Sequence, residues 1–430
     1  MKIWDKGTAI DTIMENFTVG RDREMDTRLA RWDVVGSIAH ATMLGQTGLI
    51  PHDAATALVD ALSDILAEFD AHGCTIDSAA EDIHSHVEAL LVQRLGDTGK
   101  MVHTGRSRND QVALDIALFM RHELRTIRGE VISVAEILLG LAEKYAHLPM
   151  PGFTHYQVAM PSSFGLWFGS TAELLLEDVR VLDVAIDAAN ANPLGSAAGY
   201  GTRLPLDRDT TTRALNFDRM YVTAPCAQAA RGRTERLAAM AMAQVASTVA
   251  RFAADVVHFA SSVYGCITLP DAFTTGSSIM PHKKNPDVFE VLRARCNRLQ
   301  SIPTQIAMVL QNLPSGYHRD VQFIKDVIIP AIDEMHTVLT VAAHVIPVIQ
   351  PVEGLLDAPA MDSLFSVDRV DDLVKQGIPF REAYRIVAQR IAEGTSMRGE
   401  APFQVDGSGS LGSPRNPGLH HIRARLNDLR

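Results

Sequence analysis

The sequence predicts a mainly α-helical protein built around a bundle of long helices, and three observations carry that prediction. Of 430 residues, 47% are hydrophobic but only 6% aromatic, so the core must be made of Ala, Leu, Val, Ile and Met, which suit close helix-on-helix packing. Long runs with apolar residues at helical spacing recur through the middle of the chain. Reactive side chains cluster in short polar passages at the edges of those runs, where loops held by a rigid scaffold commonly carry function.

Residues 1–109 read as shorter helices and loops, an N-terminal helical region. From Asp110 to about Leu148 the chain has no proline and keeps helical spacing, which fits one very long helix. After Pro161 the run "SSFGLWFGSTAELLLEDVRVLDVAIDAANA" opens on Ser/Pro entry signals and continues unbroken to Pro193. The run from Thr234 to Gly265 is apolar almost all round, which marks a helix covered on several sides and predicts an obligate oligomer. Asn285-Pro286 supplies a cap and first turn for a fourth helix through Gln311, kinked at Pro303, and a fifth runs from Val321 to about Val348 with a kink near Pro330. These helices define a central bundle region, 110–350. Residues 351–430 form a small C-terminal helical region with the break "DGSGSLGSPRNPG" and a terminal amphipathic stretch, Leu419, Ile422, Leu426 and Leu429.

A net charge of −11 argues against a nucleic-acid partner, since phosphate binding calls for a basic face. Cys74, Cys226, Cys266 and Cys296 show no CxxC pairing, which suits reduced thiols better than a disulfide or zinc framework. The start has no apolar signal core, and the greasiest run, "VLTVAAHVIPVIQPV", is too short to span a membrane and is broken by His344, Pro347 and Pro351. The expectation is a soluble, cytoplasmic protein with neither a nucleic-acid nor a membrane partner.

Three polar passages carry the chemistry. In "TTGSSIMPHKKNPDVFEV" (274–291), Gly276 and Ser277 can present backbone N–H and hydroxyl groups. Lys283 adds a fixed positive charge, and Asn285 sits at a helix N-terminus that favours an anion. Together they predict a carboxylate site, where a loop needing only solubility has no use for such a mixture. "VHTGRSRND" (102–110) offers Arg106, Ser107, Arg108 and Asn109, guanidinium forks and neutral donors for carboxylates. Taken singly, each could equally belong to a helix-capping turn. In "MPGFTHYQ" (150–157), His155 stands between Thr154 and Gln157 as a candidate acid or base. A lone histidine is more often structural, and Glu290 is the carboxylate that would orient this one if the fold joins them.

Other motifs fail. "GSGSLG" (407–412) follows no strand, against a dinucleotide site. His84 and His86 are two apart on a predicted helix and face different ways, against shared metal ligation. "NFT" (16–18) is a sequon only in a secreted protein, and neither GxxxxGK[ST] nor HExxH occurs.

The passage 276–285 matches every fixed position of the GSSxMPxKxN signature of the aspartase/fumarase superfamily. Within it "HTGRSRNDQV", "MPGFTHYQ", "EDIHS" (81–85), "NPLGSAAGYG" (192–201), "GYHRDVQFIKD" (316–326) and "GIPFREAY" (377–384) most resemble the argininosuccinate lyase family. The resemblance runs from about Met14 to Val387. It implies a homotetramer with a central twenty-helix bundle and sites assembled from three chains, splitting argininosuccinate reversibly into arginine and fumarate with no cofactor and no metal. Carried over by motif, Ser277 resembles the general base, Thr154–His155 the acid side and Glu290 the histidine's partner. Ser107, Arg108, Asn109, Lys283 and Asn285 would hold the succinyl carboxylates, and His84, Tyr317, Gln322, Lys325 and Asp26 would also serve the substrate, as would Arg106 and Gln157 beside them.

The chemistry fits that implied set. Breaking the C–N bond removes a proton beside a carboxylate and leaves an aci-carboxylate dianion, which Lys283, Asn285 and the loop amides would stabilise. The sequence departs from the family where Tyr156, Val158 and Met160 replace Leu, Arg and Gln, and where "WDKG" (4–7) replaces a glycine-rich opening. Two rivals share the fold: a sister lyase acting on adenylosuccinate, fumarate or aspartate, and a catalytically silent structural protein like the related lens crystallins. "HTGRSRND" and the Tyr317–Gln322–Lys325 set stand against the first, and the intact Ser277, His155, Lys283 and Glu290 against the second.

Overall fold

A computed structural model describes residues 11–77, 80–399 and 403–430, so the "WDKG" opening lies outside the described residues. In chain order the helices are α1 (Thr12–Val19), α2 (Asp22–Thr27), α3 (Ala30–Gln46), α4 (His52–His72), α5 (Ile83–Leu95), α6 (Arg108–Lys144), α7 (Phe164–Ala189), α8 (Arg208–Ala214), α9 (Ala224–Ala229), α10 (Arg233–Phe259), α11 (Asp287–Leu299), α12 (Ile302–Val309), α13 (Ile324–Val345), α14 (Ser366–Lys375), α15 (Phe380–Ala392) and α16 (Leu419–Asp428). The strands are short: β1 (Pro149–Thr154) pairs antiparallel with β2 (Gln157–Ser163), and β3 (Ala191–Asn192), β4 (Arg219–Met220), β5 (Ile267–Thr268) and β6 (Gln350–Pro351) form two further small ladders.

The mainly helical reading holds, with α6, at 37 residues, the longest helix among those described. Two boundaries differ from the sequence reading. The helix expected from Asn285 to Gln311 is two helices, because Pro303 has no N–H for the i→i−4 ladder and sits in the first turn of α12. α10 stops at Phe259 rather than Gly265, where Gly265 turns left-handed (φ 56°) and its N–H closes on Ser261 at 2.8 Å.

The chain divides into two compact units. One comprises Met1–Arg128, Val181–Gln244 and Arg298–Met335; the other Gly129–Arg180, Val245–Asn297 and His336–Arg430. The long helices α6, α7, α10 and α13 each contribute residues to both.

In the first unit, α3, α4 and α5 enclose Val34, Leu44, Leu58, Leu62, Ile65, Ile83 and Leu91. A second cluster joins Leu114 and Leu118 of α6 to Leu194, Leu215 and Phe217. α3 rides close on α6 because Gly36 lacks a side chain: a Cβ there would fall 2.6 Å from Leu114. Asp82 caps α5 by accepting the Ser85 N–H at 2.8 Å.

In the second unit, Trp167 stacks on Phe252 at 5.1 Å and donates its indole N–H to Asp255 at 3.1 Å. α14 and α15 close over Leu364, Phe365, Val370, Leu373 and Val387. The amphipathic reading of the terminus holds: α16 buries Ile422 and Leu426 and is clamped by Arg423 to Glu143 at 2.7 Å. Residues Ala224–Phe259 are, by length and composition alone, apolar enough to cross a membrane, but most of that apolar stretch is buried within the protein.

Candidate active site

A cavity of about 160 Å³ opens in the first unit, and charged residues dominate its lining. At its floor Lys325 donates to Asp26 at 2.5 Å and to Asp22 at 2.6 Å. Burial disfavours the lysine's charge, yet the two carboxylates outweigh it and raise its pKa. Burial also pushes Asp22 up to about 6 against the pull of Lys325. Tyr317 and Gln322 line the same cavity, as do Arg108 and Asn109. Five residues expected at the amine end and in the 102–110 passage therefore converge with Asp26. Arg108 is already engaged: it donates to Glu81 at 2.9 Å and to the Ser85 hydroxyl at 2.7 Å, with Asp82 at 3.3 Å. Asn109 reaches the Ala198 carbonyl at 3.5 Å.

The turn carrying these residues is pinned by Asp110, which is fully buried. Its carboxylate accepts the N–H groups of Ser107 at 2.8 Å, Gly195 at 3.1 Å and Ala197 at 2.9 Å. Ser107, expected to meet a carboxylate, accepts the Asn109 N–H through its hydroxyl.

His84 and Arg106 do not line the larger cavity, although both were expected to reach the substrate. They lie with Asp33 and Ser37 around a separate, much smaller one. His84 is buried and bonds through Nδ1 to Asp33 at 2.7 Å, with Asp115 at 3.7 Å. Burial alone would lower its pKa, but the charges of Asp33, Asp115 and Asp82 outweigh it and raise it to about 10. Arg106 is buried too and donates to Ser37 at 2.9 Å. Asp33, His84 and Asp115 bring ligand atoms within 4.8 Å of one another, the spacing a metal ion could use. In the absence of an ion, His84 and Asp33 form a buried, charge-assisted pair. His86 faces elsewhere, stacked against Phe69 at 6.4 Å.

In the second unit, Thr154, His155, Tyr156 and Gln157 form the tip of the β1–β2 hairpin, Thr154 facing Gln157. His155 and Tyr156 both adopt left-handed backbone, φ 51° and 58°, which gives a two-residue hairpin the twist its strands require. That turn projects the exposed His155 from the tip. Behind it Phe153 meets Tyr264 edge-on at 5.0 Å, Tyr156 lies 5.1 Å from His258, and Tyr264 donates to the Tyr156 carbonyl at 3.4 Å. This aromatic buttress was not foreseen, and only the aromatic spacing of "HFASSVYG" hinted at it. Within the chain no hydrogen bond joins His155 to Glu290, both being exposed.

The serine passage is also in this unit. Thr275 and Asn285 close its base through reciprocal backbone bonds of 3.1 and 2.8 Å. The Asn285 side chain turns back to the Gly276 carbonyl at 3.2 Å instead of capping α11. Ser277 Oγ accepts the N–H groups of Ile279 at 3.3 Å and Met280 at 3.1 Å, an arrangement that favours its deprotonated form. Lys283 is exposed, whereas Lys284 is tied to Asp271 at 2.5 Å.

A lyase family model matches residues 6–301. The argininosuccinate lyase of Phocaeicola vulgatus is 46% identical over 427 residues, covering 99% of this chain and 96% of that protein. Among solved structures, an EDDS lyase variant with bound fumarate superposes with a TM-score of 0.77 at 21% identity, over 98% of this chain and 90% of that one. A class II fumarase from Schistosoma mansoni gives 0.74 at 15% identity over 89% of each chain. At such identities these structures share the fold.

Proposed function

The chain belongs to the argininosuccinate lyase family, and on that premise we propose that it splits argininosuccinate reversibly into arginine and fumarate, the carbon–nitrogen elimination of arginine biosynthesis. The observation that carries this reading is the convergence of Asp26, Arg108, Asn109, Tyr317, Gln322 and Lys325 on one cavity. Residues scattered over most of the sequence meet there with the mixed charge that an amino-acid substrate needs.

Ser277 takes the proton beside the succinyl carboxylate, and the two backbone N–H groups on its Oγ support its ionised form. As the C–H bond breaks, charge gathers on the carboxylate, where Lys283 and Asn285 stabilise it; one donor in such a site contributes about 3–4 kcal/mol. The electron pair then expels the guanidino nitrogen, to which His155 delivers a proton with Thr154 beside it. Glu290 supports the imidazole from another chain, since within one chain no hydrogen bond joins them.

Sites shared in this way go with a homotetramer, a three-region subunit divided at 109/110 and 350/351, and a cytoplasmic location. The exposed His155, Lys283 and Glu290 support the sharing, because reactive groups left in solvent gain catalytic force only when a partner encloses them. The test is to offer the purified protein argininosuccinate, adenylosuccinate, aspartate and malate and to follow fumarate by ultraviolet absorbance. Release from argininosuccinate alone is the expected result; release from another compound would point to a sister lyase, and none from any to a silent homologue.

A further inference from the structure

The hairpin that carries His155 is held from behind by His258 and Tyr264, which lie outside every motif above. Its two tip residues, His155 and Tyr156, both occupy the left-handed region, φ 51° and 58°, where a β-carbon crowds its own backbone. Such a conformation persists only where surrounding contacts fix it. Here they come from the turn that ends α10. Gly265 closes on Ser261 at 2.8 Å, and the Tyr264 N–H reaches the Ser261 hydroxyl oxygen at 3.4 Å, which sets the half-buried Tyr264 ring against the hairpin. That ring lies 3.9 Å from the His258 ring and meets Phe153 edge-on at 5.0 Å, while its hydroxyl donates to the Tyr156 carbonyl at 3.4 Å. His258 in turn lies 5.1 Å from the Tyr156 ring. Tyr264 therefore touches the chain on both sides of His155, before it at Phe153 and after it at Tyr156. Tyr156 is also a position where the chain departs from the family's Leu, and the change supplies the ring that packs on His258.

We propose that Tyr264 is a positioning residue for the reaction: acting through Tyr156, it fixes the hairpin tip so that the His155 imidazole meets the departing nitrogen. The proposal rests on the reading of His155 as the proton donor. A donor must come within about 3.2 Å of the atom it protonates, so an exposed imidazole on a two-residue turn needs its backbone fixed before its ring can be aimed. Aromatic contacts suit that task, because edge-on and tilted ring pairs fix direction as well as distance. The phenol does so as a neutral group, adding no charge beside the imidazole.

The test compares Tyr264→Ala, Tyr264→Phe and His155→Asn, alone and combined, by steady-state fumarate release from argininosuccinate and by hydrogen exchange of the Pro149–Ser163 hairpin. Tyr264→Ala should lower kcat by about 10²-fold, the cost of misplacing a reacting group by about 1 Å. KM should stay within about twofold of wild type, since the carboxylate contacts remain. Tyr264→Phe keeps the ring and loses one long hydrogen bond, so kcat should return to within about fivefold. Added to His155→Asn, Tyr264→Ala should cost nothing further, because residues that act as one unit are not additive. If the alanine variant does not fold, Tyr264→Leu, which keeps the bulk, takes its place. A Tyr264 that only holds the fold together would lower kcat as much without His155 as with it, which overturns the proposal, as does unchanged exchange at the tip in Tyr264→Ala. Exchange also separates this assignment from the functional reading. A wild-type protein that releases no fumarate, or a His155→Asn protein that releases it normally, would sink the role given to His155; a rise in tip exchange in Tyr264→Ala would still retain Tyr264 as the anchor of the hairpin, and no rise would remove it.

Discussion

Lys325 and Asp26 meet at 2.5 Å although 299 positions separate them in the chain. Their ion pair joins α2 to α13 within one compact unit, so the proposed ligand recognition and the cohesion of that unit depend on the same contact.

Removing one partner should therefore be far worse than removing the whole group. Asp26→Ala should cost about 3–5 kcal/mol by leaving a buried charge short of its partner. The triple change Asp22→Leu, Asp26→Leu, Lys325→Met should recover much of that stability while abolishing substrate binding. Urea unfolding beside calorimetric titration with argininosuccinate measures both; a triple variant no more stable than Asp26→Ala would contradict the electrostatic account.

His84 gives a pH signature. Its pKa rises from an ordinary 6.5 to about 10 on folding, so the folded state holds the proton more tightly than the unfolded state. The stability it contributes is complete below about pH 6.5 and is lost as pH climbs through about 10. His84→Gln should accordingly destabilise by about 3–5 kcal/mol near pH 6, and the gap from wild type should narrow toward pH 10. A gap that stays constant across that range would show that packing, not the imidazolium, holds Asp33 and Asp115.

Ser277→Ala removes the proposed base while leaving Lys283 and Asn285 in place. Turnover should drop by at least ~10²-fold with substrate binding retained. Lys283→Ala should weaken both binding and turnover, because its charge acts on the ground state as well as the transition state. Near-normal fumarate release by Ser277→Ala would move the base to another residue, with His155 the first to examine.

If the two reactive groups of one site come from different chains, inactive His155→Asn and Ser277→Ala proteins should regain part of their activity once dissociated and reassembled together. Verified subunit exchange with no recovered fumarate release would count against shared sites.

Much of this was legible in the sequence, but unevenly. The long helices were readable because periodicity is a local property, and α6 and α16 fall close to where spacing put them. The break at Pro303 was visible as a kink but not as a full stop, since a proline's missing donor says nothing about whether neighbouring carbonyls keep the helix going. Arg108, Tyr317 and Lys325, which the motifs named for the substrate, line one cavity, whereas His84, named with them, lies against Asp33 and Asp115, because burial is set by partners far along the chain. Asp22 carried a usable signal, its four-residue spacing from Asp26 on one helix face, yet nothing local revealed the lysine that gives the pair its meaning.

The hairpin tip sets a trap for anyone seeking a sturdier protein. A two-residue turn with both positions left-handed is most comfortable as Asn-Gly, and here it is His155-Tyr156. Random variation screened by heat resistance would tend to rewrite these very positions, and each winner would fold better while losing its proposed proton donor. Hardiness and turnover pull this corner of the molecule in opposite directions, so any selection for endurance must be run alongside one for fumarate release.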